Sequence, residues 1–296
     1  MNPELATSLR AESLDADEVA RLVDVALDED LRYGPDVTTE ATIRADQIAE
    51  ADVVARESGV VCGVDVARVV LEAVGFALEG VTVHVRDGES VEPGSVVLTA
   101  SGLLRPLLAA ERTLLNFLTH LSGVATSTNT WVRAVEGTGC RVRDTRKTLP
   151  GLRQLEKYAV RCGGGVNHRM GLGDAALIKD NHVAASGSIA RAINDVRRSR
   201  PDIALEAECD RLDQVREAID AGCSLILLDN MGLRDIEKAV ALASSSEVRL
   251  EASGGVTLDN VRAIAETGVD FVAIGAITHS VRTLDLGLDI REDQQA

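Results

Sequence analysis

Apolar positions along the chain change their period twice, and each change marks a new kind of structure. From Leu14 to Leu31, Val19, Leu22, Val23, Ala26 and Leu27 recur at helical spacing, opened by Ser13 and closed before Gly34 and Pro35. That spacing predicts an amphipathic helix, followed by a turn at Tyr33-Gly34-Pro35-Asp36. Between Ala51 and Gly102 the pattern shortens to Val-rich runs, at 52–55 and 81–85 among others, broken by Gly59, Gly63, Gly88 and Gly94. These predict a small sheet with one helix near 66–74, and Asp87-Gly88 and Pro93-Gly94 have hairpin-turn chemistry. Residues 103–135 return to helical spacing, with an interruption expected at Ser122 and Gly123. They place Glu111, Arg112, Asn116 and His120 on one side.

Beyond Cys140, short apolar runs at 175–178, 203–205, 225–228, 248–250 and 271–274 alternate with helical patterns. The alternation predicts an α/β fold of parallel strands with right-handed crossovers, and a closed barrel is its most economical form. In a barrel the residues after each strand share one rim. Here they are Arg146 and Lys147, then Lys179, Asp180, Asn181 and His182, then Glu206 and Glu208, then Asp229 and Asn230, then Ser253, Gly254 and Gly255, and finally Gly275. Asn167, His168 and Arg169 add a second basic group after Gly163, Gly164 and Gly165, a run that lets the backbone bend sharply or approach a ligand.

Composition sharpens this picture. With 296 residues and 45% apolar side chains, the chain can bury a large core, and its net charge of −16 argues against a nucleic-acid partner. Cationic clusters stand out against that background. Only 2% of residues are aromatic, so a planar ligand would be held by charge and hydrogen bonds rather than between rings. Five cysteines without a CxxC pair fit neither a disulfide framework nor a zinc site, and they predict a cytoplasmic setting. Glu4 and Glu12 near the start, and the lack of a long apolar stretch, predict a chain that is neither secreted nor membrane-spanning.

Adjacent Arg146 and Lys147 pair a forked donor with a mobile point charge, which suits carboxylate or phosphate oxygens; the alternative is a solvated basic loop. Ser253-Gly254-Gly255, ahead of a helical run at Leu258, offers backbone N–H groups to a phosphate, or else is a plain turn. Glu208 and Asp229 follow adjacent strands and can share Mg²⁺, or else form salt bridges. Lys179, if buried, suits a Schiff-base nucleophile of the barrel-aldolase kind.

At these residues the chain resembles the quinolinate phosphoribosyltransferase family. The resemblance runs through residues 29–39 (Glu-Asp-Leu-Arg-Tyr-Gly-Pro-Asp-Val-Thr-Thr), 110–116 (Ala-Glu-Arg-Thr-Leu-Leu-Asn) and 143–153 (Arg-Asp-Thr-Arg-Lys-Thr-Leu-Pro-Gly-Leu-Arg). It continues through 163–169 (Gly-Gly-Gly-Val-Asn-His-Arg), 178–182 (Ile-Lys-Asp-Asn-His), 227–230 (Leu-Leu-Asp-Asn) and 251–255 (Glu-Ala-Ser-Gly-Gly). It implies an N-terminal α/β sandwich over 1–111, with a tail at 281–296 packing back on it. An irregular α/β barrel of about six or seven parallel strands would follow over 112–280.

The implied reaction joins quinolinate to 5-phosphoribosyl 1-diphosphate with Mg²⁺. It releases CO₂ and pyrophosphate and leaves nicotinate mononucleotide, a step of de novo NAD biosynthesis. The implied assembly is a homodimer, or a larger oligomer built from it, with shared active sites. Lys147, Glu208 and Asp229 would be catalytic. Arg146, Lys147, His168, Arg169 and Lys179 would hold quinolinate, with Arg112 reaching in from the other subunit, and Thr145, Ile274 and Ala276 would also bind substrate. Glu208 and Asp229 would face the ribose and the metal, while Ser253, Gly254, Gly255 and Gly275 would take the 5-phosphate. The pattern departs at Ala207 and Cys209, where relatives carry valine, which changes packing beside Glu208 but leaves its carboxylate. A related enzyme for another pyridine carboxylate, a lysine-dependent aldolase and a non-catalytic anion-binding protein are the alternatives.

Overall fold

In the computed structural model, which describes residues 1–291, capped helices begin the chain. Asn2 accepts hydrogen bonds from the backbone N–H groups of Glu4 and Leu5 at the start of α1 (Pro3–Ala11). Asp15 does the same for Asp17 and Glu18 at α2 (Ala16–Leu31), which buries Ala16, Val19, Val23 and Leu27. The cap is therefore Asp15 and not Ser13, which bends the chain at φ 60°. Asp36, in the expected turn, caps a short α3 (Val37–Thr42).

Next come β1 (Ile48–Ala55), β2 (Gly59–Val60), α4 (Val64–Ala73), β3 (Val81–Val83), β4 (Ser90–Val91) and β5 (Val96–Leu103). The following helix, α5 (Leu104–Ala134), runs for 31 residues without the expected interruption. Ser122 is fully buried, and its hydroxyl accepts from the Cys62 N–H at 2.9 Å. A Cβ on Gly123 would lie 2.4 Å from the Arg282 carbonyl. Both residues are small because other backbone packs against them, so they break no helix.

The alternating part contains β6 (Arg141–Arg143), α6 (Arg153–Cys162), β7 (Ala175–Ile178), α7 (Asp180–Ser186), α8 (Ile189–Ser199) and β8 (Ala204–Cys209). It continues with α9 (Leu212–Asp220), β9 (Leu225–Asp229), α10 (Leu233–Ala243), β10 (Arg249–Ser253), α11 (Val261–Ala265), β11 (Phe271–Ala273) and α12 (Ala276–His279). β6 to β11 form one parallel sheet in the order β6-β11-β10-β9-β8-β7. The first strand is thus bonded to the last, as a sheet closing on itself requires. On its other side β6 is met by Val166, whose N–H donates to Val142 O at 2.9 Å and whose carbonyl accepts from Asp144 N–H at 3.1 Å. The final strand, β12 (Leu286–Ile290), pairs antiparallel with β1, giving a second sheet in the order β12-β1-β5-β3.

The chain divides into two compact units. One holds 1–129, 149–164 and the stretch from Ser280 onward; the other holds 130–148 and 165–279. The division falls at Asn129, beyond the residue 111 expected from the sequence, and the α6 segment goes with the first unit. Residues 292–296 of the expected 281–296 tail lie outside the described residues. Among the described residues no helix is long and apolar enough to cross a membrane.

β8 extends well past its apolar run, through Glu206 and Glu208 to Cys209. Both glutamates were expected after the strand and instead lie within it. Leu225 and Leu227 of β9 are their register partners. The strand continues because its backbone pairs with β7 and β9, whatever charge its inward side chains carry.

Candidate active site

The loop after β6 is held from below by Asp144. This side chain is fully buried and accepts hydrogen bonds from Asn167 Nδ2 at 2.6 Å and from the His168 N–H at 2.7 Å. It thereby ties the Arg146-Lys147 loop to the second basic segment. Thr145 Oγ1 accepts from the Lys147 N–H at 2.9 Å, and the Thr278 hydroxyl donates to the Lys147 carbonyl at 2.7 Å. The Lys147 backbone is fixed at two points while its side chain stays exposed. A Cβ on Gly275 would come within 3.1 Å of Lys147 Cδ, so glycine there leaves room for the lysine to cross.

Arg169 lies on the neighbouring segment. Its Nη1 donates to Ala175 O at 3.0 Å and its backbone N–H to His168 Nδ1 at 2.7 Å. Burial, then the nearby Arg146 charge, holds the Arg169 guanidinium below its ordinary pKa. Two arginines that oppose each other's charge make an anion between them favourable. Lys179 Nζ lies 3.0 Å from Glu208 Oε2, with 47% of the lysine side chain exposed. The Schiff-base role needed a buried lysine, and the structure removes that condition: Lys179 is open to solvent and paired with an anion.

Glu208 and Asp229 sit on adjacent strands and face the same side, since Glu208 is level with Leu227 and Asp229 is two residues further on. Two carboxylates offering only oxygen donors fit Mg²⁺ by ligand chemistry. Asn230, next in the chain, adopts the left-handed conformation at φ 52°, and its N–H donates to Ser253 O. Its amide fills the space beside Gly254, where a Cβ would lie 2.2 Å from Asn230 Oδ1. Gly254 at φ +84° and Gly255 at φ +62° then turn the chain.

The helix expected directly after this turn begins only at Val261 and has five residues. Asn260 accounts for the delay. Its Oδ1 accepts from the Thr257 N–H and its Nδ2 donates to Gly255 O, closing a separate turn first. Phosphate binding here would therefore use the backbone of the glycine turn, not a helix end. A depression of about 310 Å³ beside it is lined by Asn230, Gly232, Gly254, Gly255 and Asn260, among others.

Thr145, Arg146, Lys147, His168, Arg169, Lys179, Glu208, Asp229, Ser253, Gly254, Gly255, Ile274, Gly275 and Ala276 all belong to the barrel unit. Arg112 belongs to the other unit, exposed on α5. Sequence reasoning assigned no role to Arg143, Asp144 and Glu251. An acidic residue two places before a rim residue on the same strand, as Glu251 stands to Ser253, is the signal that would have found one of them.

Comparison with known proteins accords with this arrangement. Residues 36–122 match the N-terminal domain of quinolinate phosphoribosyl transferase, and residues 124–289 match its C-terminal domain. The chain is 52% identical over 269 residues to a nicotinate-nucleotide pyrophosphorylase [carboxylating] of Mycobacterium leprae, covering 90% of this chain and 94% of that protein. A probable enzyme of the same name from Bacillus subtilis is 40% identical over 265 residues, covering 88% and 90%. The solved nicotinate-nucleotide pyrophosphorylase of Francisella tularensis superposes with a TM-score of 0.87 at 39% identity, covering 93% of this chain and 96% of that one. The chain belongs to the quinolinate phosphoribosyltransferase family.

Proposed function

We propose that the barrel rim transfers a phosphoribosyl group from 5-phosphoribosyl 1-diphosphate to the nitrogen of quinolinate, with loss of CO₂ and pyrophosphate. The observation that carries this reading is a barrel rim that sets Arg169 near Arg146, Lys179 against Glu208 and Lys147 beside Gly275, in a chain of net charge −16. Quinolinate brings two carboxylates, and the donor brings a monophosphate and a diphosphate. Local cations in an acidic protein concentrate attraction where those groups must meet.

Arg146, Arg169 and Lys179 hold and orient the dicarboxylate. The backbone N–H groups at Gly254, Gly255 and Gly275 receive the 5-phosphate. As pyrophosphate leaves, positive charge grows on the ribose carbon, and the carboxylates of Glu208 and Asp229 stabilise it. Mg²⁺ held by these two residues supplies charge neutralisation to the diphosphate when bound. Loss of CO₂ then leaves electron density on the ring carbon, which Lys147 and the arginines favour electrostatically.

A pyrophosphate-release assay on the purified chain tests the reading, with quinolinate and nicotinate compared as acceptors. Turnover with quinolinate, accompanied by CO₂, is expected, and none with nicotinate. The opposite preference would assign a different pyridine carboxylate.

Arg112, exposed on α5, completes the neighbouring subunit's site in a twofold dimer on this reading. Equal mixing and subunit exchange of Arg112→Ala and Lys147→Ala chains should then restore about a quarter of wild-type activity, since half the dimers hold one intact site. Mixtures as inactive as either parent would place Arg112 in its own chain's site. Five free thiols, all buried or half-buried, accord with a cytoplasmic setting.

A further inference from the structure

Beneath the rim of the barrel unit lies a buried ionic layer, where such barrels ordinarily pack branched apolar residues. Arg143 from β6, Glu206 from β8 and Glu251 from β10 come from alternate strands of the sheet. Arg143 Nη1 lies 2.6 Å from Glu251 Oε2 and 4.0 Å from Glu206 Oε2. This layer pins β10 two residues before Ser253, where the glycine turn begins. A second device, Asn230 just past the end of β9, holds the same turn from the side.

Asn230 makes three contacts, each of a different kind. Its backbone N–H donates to the Ser253 carbonyl at 2.9 Å. Its Nδ2 donates to Asp229 Oδ2 at 2.9 Å. A carboxylate only accepts, so the NH₂ end of the amide faces Asp229 and the carbonyl end is turned to Gly254. There Oδ1 occupies the place of a side chain, since a Cβ on Gly254 would lie 2.2 Å from it. One exposed amide thus touches both the carboxylate assigned to the ribose and metal and the glycine assigned to the phosphate.

Asparagines also take up the carbonyl groups of the turn. Ser253 O accepts from the Asn230 N–H, and Gly255 O accepts from Asn260 Nδ2 at 3.0 Å. Among the described residues the Gly254 and Gly255 N–H groups meet no acceptor, so the turn's acceptors are engaged while its donors are left for an anion. Backbone shape alone does not explain the amide. At φ 52° glycine would be free of strain, and asparagine is one of the few side chains that tolerate the same conformation.

We propose that Asn230 is a positioning residue for the phosphoribosyl donor, locking the Asp229 carboxylate and the Gly254-Gly255 turn into one arrangement through a single side-chain amide. This rests on the proposed function for the identity of that subsite. None of the three contacts involves Arg146, Lys147, Arg169 or Lys179, so the dicarboxylate side is spared when the amide is lost.

Binding and kinetics on the full-length protein test it. Asn230→Gly keeps the backbone conformation and removes the amide, while Asn230→Asp keeps the size and sets a second carboxylate against Asp229. Ribose 5-phosphate, titrated calorimetrically with Mg²⁺ present, is expected to bind either variant at least tenfold more weakly than wild type. Quinolinate binding should shift less than twofold. Steady-state kinetics should split in the same way, with KM for 5-phosphoribosyl 1-diphosphate raised at least tenfold and KM for quinolinate within twofold of wild type. A residue that only shaped the turn would be replaced by glycine without loss. Wild-type affinity for ribose 5-phosphate in Asn230→Gly, equal loss for both ligands, or a wild type that binds no ribose 5-phosphate would therefore overturn the proposal.

Gly254→Ala checks the contact itself. Its φ strain is common to both backgrounds, but its methyl meets the amide only where Asn230 is present, so the loss of ribose 5-phosphate affinity should be smaller in Asn230→Gly than in wild type. Equal losses in the two backgrounds would contradict the contact. If the wild type binds ribose 5-phosphate but does not turn over quinolinate, the functional reading falls, while the comparison with Asn230→Gly still decides the positioning role.

Discussion

In the first unit, β1 and β5 bury Ala51, Val53, Leu98 and Ala100 against one another's neighbours, with Val53 level with Leu98 and Ala51 level with Ala100. In the second unit the inner layer drawn from β6, β8 and β10 is Arg143, Glu206 and Glu251. Both regions are buried, yet their energetics differ. Apolar burial stabilises at about 25 cal/mol per Å² with no partner required. Ionised groups lose several kcal/mol each on leaving water, and their pairing only offsets that loss. The Oε1 oxygens of both glutamates are buried and accept no hydrogen bond from the described residues, an arrangement that stability alone would not select. The ionic layer is therefore a cost accepted for what stands above it.

Breaking the ionic layer on one side should give the largest effect. Arg143→Met leaves two buried carboxylates facing each other and is expected to lower unfolding free energy by about 3–5 kcal/mol in urea titrations. Replacing a cation at the rim should act on activity instead. Lys147→Ala and Arg169→Ala are each expected to lose about 3 kcal/mol of transition-state stabilisation, read from kcat/KM. Lys147 is exposed, so its variant should unfold at the wild-type midpoint. A Lys147→Ala enzyme with unchanged kcat/KM would remove the rim from the mechanism.

The two regions should also differ in pH dependence. Burial, then the Glu206 charge, pushes Glu251 up to about 7 from an ordinary 4.5, against the opposing pull of Arg143 and His168. The folded chain thus holds this proton more tightly than the unfolded chain. Its contribution is complete below pH 4.5, declines as the pH rises towards about 7, and is gone above. Glu251→Gln cannot release a proton and should lack the decline, a difference amounting to about 3 kcal/mol across that window. Identical pH profiles for the two proteins would mean that Glu251 titrates normally. Val53→Ala supplies the contrast and the smallest effect: about 2 kcal/mol from lost methyl burial, the same at pH 5 and pH 8.

The same chemical difference explains what could be read from the sequence. Repeated apolar runs predicted the parallel strands, and the residues after them supplied the rim, because apolar outer faces and polar ends are written directly into the pattern. Glu206 and Glu208 ended the run at Leu205 for any reader of hydrophobicity, although β8 continues to Cys209. Glu251 was legible as part of a motif, yet its burial depends on Arg143, more than a hundred positions earlier. Long-range pairing of this kind leaves no local signal. Ser122 and Gly123 misled in the opposite direction, since small residues that accommodate neighbouring backbone look the same in sequence as residues that end a helix. The eighteen-residue shift in a domain boundary that one helix spans, from 111 to 129, has a similar origin, as α5 carries no break to mark it.

The central claim, that the ionic layer serves the site and not the fold, is tested most directly by replacing the layer as a whole. Arg143→Met, Glu206→Leu and Glu251→Leu combined in one chain remove every fixed charge at once and leave no carboxylate unpaired. The account predicts a folded protein more stable than Arg143→Met alone, with kcat/KM for quinolinate down by at least a hundredfold. A triple variant that folds and keeps its kcat/KM, or one less stable than the single Arg143→Met protein, would contradict it.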